Sequence, residues 1–316
     1  MRELWFRVAF TWGCGFVCGC SALIDVDAHQ CDTDNDCVTA DLGQSCVTHV
    51  CMGGSSKAPD TSVATKGMCT KDEQCTAKNT PRCMSGTCVA EDIAERWLCD
   101  SPPPGDSSGT VQYTFHVLEF VSREPPANLT VIACRLNDPE CMQPVAQFMD
   151  SEATGDVRLE LPKGFLGFFD VHSDDAMGAL SYLSRPLYTD TQDRDLQVVA
   201  PSTLQVLSSI AGVGFEPAKG LALVEAFDCT GTPAGGVHFV ESRGTATPFY
   251  LVDHLPNKDA TISVYDMVNN VADGGFINLE PGFITFSAQL GVSGLALGGF
   301  NAHVRANTVT YIDMYL

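Results

Sequence analysis

Cysteines are the residues whose type and spacing carry the clearest chemistry in this chain. Eight of its fifteen cysteines form two similar sets, spaced C-x5-C-x8-C-x4-C and C-x5-C-x7-C-x4-C, which begin 38 residues apart. Zinc sites usually bring cysteines in pairs two to four residues apart, and only the C-x4-C pairs approach that spacing. Because few large apolar residues lie between them, the sets predict two small modules held by disulfide bonds, with zinc as the weaker alternative. Four cysteines allow three pairings, so the connectivity stays open. The sets are Cys31, Cys37, Cys46 and Cys51, and Cys69, Cys75, Cys83 and Cys88.

Four further cysteines lie outside the two modules. Cys134 and Cys141 are seven residues apart and flank Asn137-Asp138-Pro139, so we expect them to bridge a turn. Cys99 and Cys229 remain, and we expect them to pair and to tie the N-terminal part of the chain to its C-terminal part.

Acidic residues in the first module raise the question of calcium. Asp32, Asp34 and Asp36 match the first three ligand positions of an EF-hand loop. An EF-hand then needs a Gly after Asp36 and a Glu at the twelfth position, where this chain has Cys37 and Gly43. We interpret the segment as a solvated acidic loop, with weak calcium binding as the alternative.

Two motifs match catalytic signatures by their letters alone. Gly105-Asp-Ser107-Ser-Gly109 matches the nucleophile elbow, but a Pro-rich coil precedes it where that motif needs a strand. His116 and Glu119 match a zinc pair, but residues three apart on an alternating strand point to opposite faces. The sequence therefore predicts no catalytic residue, no cofactor and no metal.

The N-terminal segment determines the predicted location. Arg2 and Arg7 precede the apolar run Val8–Val17, and Val17-Cys18-Gly19-Cys20 follows. This resembles the lipobox of bacterial lipoproteins. The resemblance implies cleavage after Gly19 and lipidation of Cys20, and Ser21 then favours the outer membrane of a Gram-negative bacterium. Removing Cys14 and Cys18 and lipidating Cys20 leaves twelve of the fifteen cysteines, an even number that suits an oxidising compartment.

Composition and charge limit the possible partners. The net charge is −21, which leaves no basic face for nucleic acid or for anionic lipid head groups. The hydrophobic content of 45% is too high for a disordered chain. We expect the lipid bilayer as one partner, through the acyl chains, and an unidentified protein or polysaccharide as another.

The pattern beyond the modules is that of strands. Val111, Tyr113, Phe115 and Val117 alternate with polar residues, and Val157, Leu159 and Leu161 do the same. Pro162-Lys-Gly164 and the segment Phe165–Val171 follow, which predicts a hairpin. Pro201–Ala211 is the one predicted helix, with Pro near its start and Leu204, Leu207 and Ala211 on one face.

The chain repeats one strand-turn-strand signature. Gly155-Asp-Val-Arg-Leu-Glu-Leu-Pro162-Lys-Gly164-Phe165 is echoed by Gly274-Gly-Phe-Ile-Asn-Leu-Glu-Pro281-Gly282-Phe283. This resembles the carboxypeptidase regulatory-like family of transthyretin-like β-sandwiches, better in the second copy. The resemblance is to an accessory domain, so it implies no peptidase activity.

These observations predict a mainly β protein with disulfide-rich N-terminal modules and two tandem β-sandwich domains. The expected order is a signal peptide at 1–19, a cysteine-rich region at 20–100 with modules at 31–51 and 69–88, a Pro/Gly/Ser linker at 101–109, a first sandwich at 110–200, a helical connector at 201–219 and a second sandwich at 220–316. The expected function is a non-enzymatic envelope lipoprotein that presents its sandwiches for binding, adhesion or structural support. The alternatives are an accessory subunit of an envelope enzyme or transporter and, least favoured, a hydrolase, which a deep pocket with converging acids would support.

Overall fold

The fold is mainly β, which confirms the predicted class. The computed structural model describes residues 45–47, 50–52, 69–76, 82–84, 87–89, 91–99, 105, 107–150, 154–252, 255–265, 271–291 and 294–315. The signal peptide, Cys20, Cys31, Cys37, Asp32, Asp34 and Asp36 lie outside these residues. The strands are β1 Ser45–Val47, β2 Val50–Met52, β3 Arg82–Met84, β4 Thr87–Val89, β5 Thr110–Glu119, β6 Leu129–Arg135, β7 Ala146–Asp150, β8 Asp156–Pro162, β9 Gly167–His172, β10 Gly178–Tyr182, β11 Thr191–Val198, β12 Gly220–Phe227, β13 Val237–Glu241, β14 Thr247–Val252, β15 Leu255–Asn257, β16 Asp273–Leu279, β17 Gly282–Leu290, β18 Leu295–Val304 and β19 Thr308–Tyr315.

A nine-stranded central sheet runs through both predicted sandwiches, in the order β15-β14-β16-β12-β19-β10-β9-β6-β7. Strands β6, β7, β9 and β10 form its first half, and β12, β14, β15, β16 and β19 form its second half. The C-terminal strand β19 is the seam, because it pairs in parallel with β10 on one side and with β12 on the other. Each half therefore shares backbone hydrogen bonds with the other.

Two smaller sheets cover opposite faces of the central sheet. Sheet β11-β5-β8 covers the first half, where Phe169 packs with Tyr113 in one apolar core. Sheet β13-β17-β18 covers the second half, where Ile312 packs with Phe286 in another. Phe169 lies in register with Ser181 and Tyr311, so Tyr311 faces the same side as Phe169. Ile312 is the next residue of β19 and therefore points to the opposite face, because neighbouring residues of a strand alternate. The two covering sheets thus lie on opposite sides of the central sheet.

Two α-helices complete the described fold. Helix α1 is Glu91–Trp97 and helix α2 is Pro201–Ile210, close to the predicted helix Pro201–Ala211. Proline occupies the first turn of α2, where no backbone donor is needed. A carboxylate oxygen of Glu119 accepts hydrogen bonds from the Ala200 N–H and the Thr203 hydroxyl, which holds this end of the helix against β5.

The predicted hairpin around Pro162-Lys-Gly164 is wrong. Strand β8 pairs with β5 in the covering sheet, whereas β9 pairs with β6 and β10 in the central sheet. The turn is therefore a corner between two layers, and the echoed turn at Gly282 likewise links β16 in the central sheet to β17 in a cover. Gly164 and Gly282 have φ of 77° and 121°, a region that favours glycine. The repeated signature is a repeated corner between layers.

The second cysteine module is described in part and docks on the second half of the sheet. Its disulfides join Cys69 to Cys83 of β3 and Cys75 to Cys88 of β4, so they fasten the preceding segment to the β3–β4 hairpin. In the first module, the β1–β2 hairpin places Cys46 opposite Cys51, as Cys83 lies opposite Cys88 in the second. The side chains of Met84, Val89, Ala94 and Trp97 are buried in the same core as Ala234.

A long-range disulfide fixes this docking covalently. Cys99, just after α1, is bonded to Cys229, which is 130 residues away, with the two Cα atoms 4.9 Å apart. Next to it, Arg96 Nε lies 3.3 Å from a carboxylate oxygen of Asp228, and the Cys229 N–H donates to the Arg96 carbonyl. A second disulfide is local: it joins Cys134 in β6 to Cys141, which is seven residues further along the chain.

Candidate functional site: an acidic cleft at the seam

An acidic cleft with a cavity of about 170 Å³ lies on the face of the central sheet that carries β11-β5-β8. Its floor is formed by side chains of β12, β16 and β19, and Asp195 and Gln197 of β11 form one wall. Leu223, Leu251 and Phe120 separate it from an apolar pocket under helix α2. The cleft thus exists because the first-half cover and helix α2 leave part of the seam uncovered.

Three neighbouring strands place one carboxylate each at the same level of the cleft floor. Asp273 of β16 is the register partner of Glu225 of β12, and Glu225 is the register partner of Asp313 of β19. We call Asp273, Glu225 and Asp313 the acidic row. Adjacent strands are about 4.8 Å apart and like charges directly opposite each other are destabilising, so the row holds negative charge at close quarters.

The position of the row alters the protonation of one member. Burial, and secondly the Glu225 carboxylate, raise the pKa of Asp273 to about 8. A carboxylate oxygen of Glu225 accepts a hydrogen bond from the Ala272 N–H at 3.0 Å. At neutral pH Asp273 is therefore mainly protonated.

The seam strand also presents a hydroxyl group to the cleft. Tyr311, in register with Leu223 and Ser181, lines the cavity beside the acidic row. The residue is only partly buried, whereas its hydroxyl oxygen is buried and has no hydrogen-bond partner among the described residues. Burial, and secondly the Asp273 carboxylate, raise the pKa of this phenol, so it stays protonated.

The mouth and the apolar wall of the cleft differ in character. Asp195 at the mouth is exposed, and the Arg123 guanidinium lies 2.8 Å from its carboxylate. The rings of Tyr113 and Phe169, which also line the cavity, stack with their centroids 4.8 Å apart. The cleft therefore combines a negative floor with an aromatic wall.

His116 and Glu119, which match a zinc pair by their letters, do not form a common site in the structure. His116 Nδ1 lies 2.5 Å from a carboxylate oxygen of Asp156, whereas Glu119 binds backbone N–H groups of the next turn and the start of α2. Although burial acts in the opposite direction, hydrogen bonds from Ser122 and Val121 lower the pKa of Glu119. These two side chains thus have separate structural partners.

The structure gives each of the four cysteines of the second module a disulfide partner. The sulfur atoms of Cys69, Cys75 and Cys88 lie within 4.8 Å of one another, a compact group. All three are in disulfide bonds, however, and a disulfide sulfur lacks the thiolate charge that zinc ligation needs.

The acidic row was not found from the sequence. Its members lie in three separate segments, and each is one acid in an otherwise mostly apolar strand: Glu225 stands between Val224 and Ala226, and Asp313 between Ile312 and Met314. An acid in such a strand is a signal in itself, but the pairing of β12 with both β16 and β19 is needed to bring the three together.

Comparison with known proteins leaves the family open. The chain matches no protein-family profile and no curated protein sequence. Among solved structures, it is similar to the TIE protein of Bacillus anthracis at 10% identity, over 66% of this chain and 34% of that one, with a TM-score of 0.20. It is similar to the shaft pilin SpaA of Lactobacillus rhamnosus GG at 10% identity, over 66% and 97%, with a TM-score of 0.21. It is also similar to the minor pilin GBS52 of Streptococcus agalactiae at 11% identity, over 65% and 94%, with a TM-score of 0.22.

The chain thus spans about a third of the first of these proteins and nearly all of the two pilins. Within the described part of the chain, neither helix has the length and apolar character of a membrane-spanning segment.

Proposed function

We propose that this chain is a non-enzymatic envelope lipoprotein that is anchored through Cys20 and presents its fused β-sandwiches for binding, adhesion or structural support. The observation that carries the proposal is the Cys99–Cys229 disulfide, which locks a cysteine-rich module onto the second half of the sheet. Disulfide bonds of this kind persist in oxidising compartments, which agrees with export by the lipobox segment. The repeated corner between layers supports the resemblance to transthyretin-like sandwiches.

Mass spectrometry of the full chain from its native membrane, with and without reduction, tests the location. We expect an acylated N-terminal Cys20 and no free thiol among the remaining twelve cysteines. An unmodified Met1, or several free thiols, would contradict export and lipid anchoring.

The same experiment tests the first cysteine module. By analogy with Cys69–Cys83 and Cys75–Cys88, we propose that Cys31 pairs with Cys46 and Cys37 with Cys51. Unreduced proteolysis should release peptides with these two linkages. A peptide linking the first module to the second would contradict the proposal.

The acidic row favours a hydrolase as a second candidate. A carboxyl pair with one member protonated at neutral pH can supply a general acid and a general base. Assays of the purified chain against nitrophenyl glycosides and esters test this candidate, with Glu225→Gln as the variant. Turnover that this variant abolishes would support a hydrolase, whereas turnover that it leaves unchanged would contradict a role of the row.

A further inference from the structure

We propose that a cavity beside the acidic cleft, which we call the Arg185 cavity, binds a small aromatic carboxylate. The proposal gives the binding role above a ligand class and rests on that role. It does not depend on the lipid anchor, because every residue that it uses lies in the sandwiches.

The Arg185 cavity has a volume of about 240 Å³ and lies between the loop that follows β10 and the end of β19. Both ends of this loop are fixed to the sheet by backbone hydrogen bonds. The Leu183 N–H donates to the Gly167 carbonyl at 3.0 Å, and the Leu187 N–H donates to the Phe165 carbonyl at the same distance. The position of the loop is thus set by the sheet, so the cavity is formed without a ligand.

The first argument is the charge of Arg185, which is partly buried and forms no ion pair with the described residues. Arg82, Arg96 and Arg305 are also partly buried, and each of them pairs with a carboxylate. The Arg185 guanidinium instead contacts the ring of Tyr315. Because withdrawing a charge from water is unfavourable unless an opposite charge compensates it, a bound carboxylate would supply the missing partner.

The second argument is the way in which the guanidinium is held. Its central carbon lies 4.1 Å from the centre of the Tyr315 ring, which in turn stacks on Phe227 with the centroids 4.5 Å apart. Pro186 follows Arg185 and disfavours a helical backbone there. A guanidinium donates its hydrogen bonds in its own plane, so a ring on its face leaves these donors available. Two parallel N–H donors match the two oxygens of a carboxylate.

The hydroxyl group of Ser184 adds a second polar group to the same wall. Its oxygen atom is buried and has no hydrogen-bond partner among the described residues. A hydroxyl can donate to a carboxylate oxygen, so Ser184 can serve the same acidic group as Arg185. A cationic ligand could also bind to this hydroxyl, but the charge of Arg185 would repel it.

The rest of the wall determines the body of the ligand. Tyr113, Tyr182 and Leu187 line the cavity and offer apolar surface to an aromatic ring. A dry cavity of about 150 Å³ can hold benzene, so the Arg185 cavity of about 240 Å³ has room for one ring with a carboxylate group. Asp313 also lines the cavity and has a contact of its own, and its charge disfavours a second acidic group on the ligand. The expected ligand is therefore a monocarboxylate.

Isothermal titration calorimetry of the full chain in micelles of an uncharged detergent tests the proposal with benzoate as the probe. We expect saturable binding of benzoate, weaker binding of acetate, which lacks the ring, and no binding of benzamide or benzylamine, which lack the negative charge. Micelles without protein give the background heat.

Variants of the two polar residues should weaken benzoate binding by different amounts. Arg185→Gln should weaken it by about tenfold or more, since it removes a pair of charge-assisted hydrogen bonds. Arg185→Lys should weaken it about threefold, because lysine keeps the charge but lacks the planar fork. Ser184→Ala should weaken it about fivefold, in keeping with the loss of one hydrogen bond to a charged group.

Arg158→Gln is the matched control, because Arg158 is exposed, lies outside the Arg185 cavity and changes the net charge equally. It should leave benzoate binding unchanged. Thermal unfolding and near-ultraviolet circular dichroism identify any variant that fails to fold. If Arg185→Gln is such a variant, Arg185→Lys and Ser184→Ala carry the test.

Three results would overturn the proposal. They are no benzoate binding by the folded wild type, an equal loss of binding in Arg158→Gln, and binding of benzylamine or inorganic phosphate that is as tight as that of benzoate. The last result would assign the cavity to a cation or to an inorganic anion. Loss of acylation at Cys20 in the mass spectrum would contradict the anchor alone, so the two failures are distinguishable.

Discussion

The two halves of the central sheet are stabilised in different ways. One face of the first half packs under the sheet β11-β5-β8, with aromatic packing around Phe169, and the disulfide Cys134–Cys141 is local to this half. The second half shares its core with Trp97 and other residues of the N-terminal module, which the Cys99–Cys229 bond holds in place. Because that bond closes a much longer loop, the second half should depend more strongly on a covalent link.

Removing the two disulfides in turn is the strongest test of this difference. Replacing Cys99 and Cys229 together by Ser should lower the free energy of unfolding by about 5 kcal/mol, from the loop-closure entropy of a long loop. The matched replacement of Cys134 and Cys141 should cost about 2 kcal/mol, because its loop is short. Urea denaturation measures both. Equal losses would contradict the proposed dependence of the second half on its long-range bond.

The seam between the halves holds a partly buried ion pair, and its loss should have nearly as large an effect on stability. An Arg305 guanidinium nitrogen lies 2.6 Å from a carboxylate oxygen of Asp170, which is only 7% exposed. Arg305→Ala should lower the free energy of unfolding by about 3–5 kcal/mol, because the buried carboxylate of Asp170 then loses its guanidinium partner.

The surface pair of Arg123 with Asp195 is the matched control for this seam variant. Both side chains are more than two-fifths exposed, so Arg123→Ala should cost less than about 1 kcal/mol. Chemical denaturation of both variants provides the comparison. Similar losses would show that the seam pair is no more important than a surface pair.

The pH dependence of stability should differ between Asp170 and Asp273. Burial opposes the effect, but hydrogen bonds from His172 and Arg305 lower the pKa of Asp170 in the folded state. Asp170 therefore stabilises the fold at pH values above its unfolded pKa of about 4. This stabilisation is lost as the pH falls through the lower pKa that Asp170 has in the folded state.

The contribution of Asp273 to stability changes with pH in the opposite direction, because the pKa of Asp273 in the folded state is raised to about 8. Its contribution is complete below the unfolded value of about 4 and is lost as the pH rises to 8. Asp273→Asn should therefore flatten the stability profile between pH 5 and 8 and raise stability at pH 8 by about 1–3 kcal/mol. Thermal unfolding across this range measures the slope, and an unchanged profile would contradict the buried state of Asp273.

A smaller effect than that of the Arg305 variant is expected from one hydroxyl at the seam. The Tyr182 hydroxyl donates to the His303 carbonyl at 3.1 Å and accepts from the His303 N–H at 3.0 Å, which links β10 to β18. Tyr182→Phe should lower the free energy of unfolding by about 1–2 kcal/mol. Tyr188→Phe is the control, because that side chain lies outside the seam. No difference between the two would show that this link is not needed.

Local features of the fold were predictable because they depend on short-range spacing. The alternation of Val111, Tyr113, Phe115 and Val117 is buried as expected on β5, and the helix near Pro201 forms within one residue of its predicted end. Most aromatic residues of the two halves are likewise in the core, as hydrophobic residues are expected to be. The buried ones include Phe165, Phe168, Phe169, Tyr182, Phe249 and Tyr250.

The sequence by itself determined the β class, the strand positions, the helix and the duplicated cysteine sets, since each rests on residues close together in the chain. Only the tertiary structure decided which strands pair. It turned the expected hairpin at Pro162 into a corner, joined both halves through β19, and aligned Asp273, Glu225 and Asp313 in one row. The physical reason is that strand pairing is set by packing between distant segments, where alternation fixes the buried face of a strand but not its neighbour.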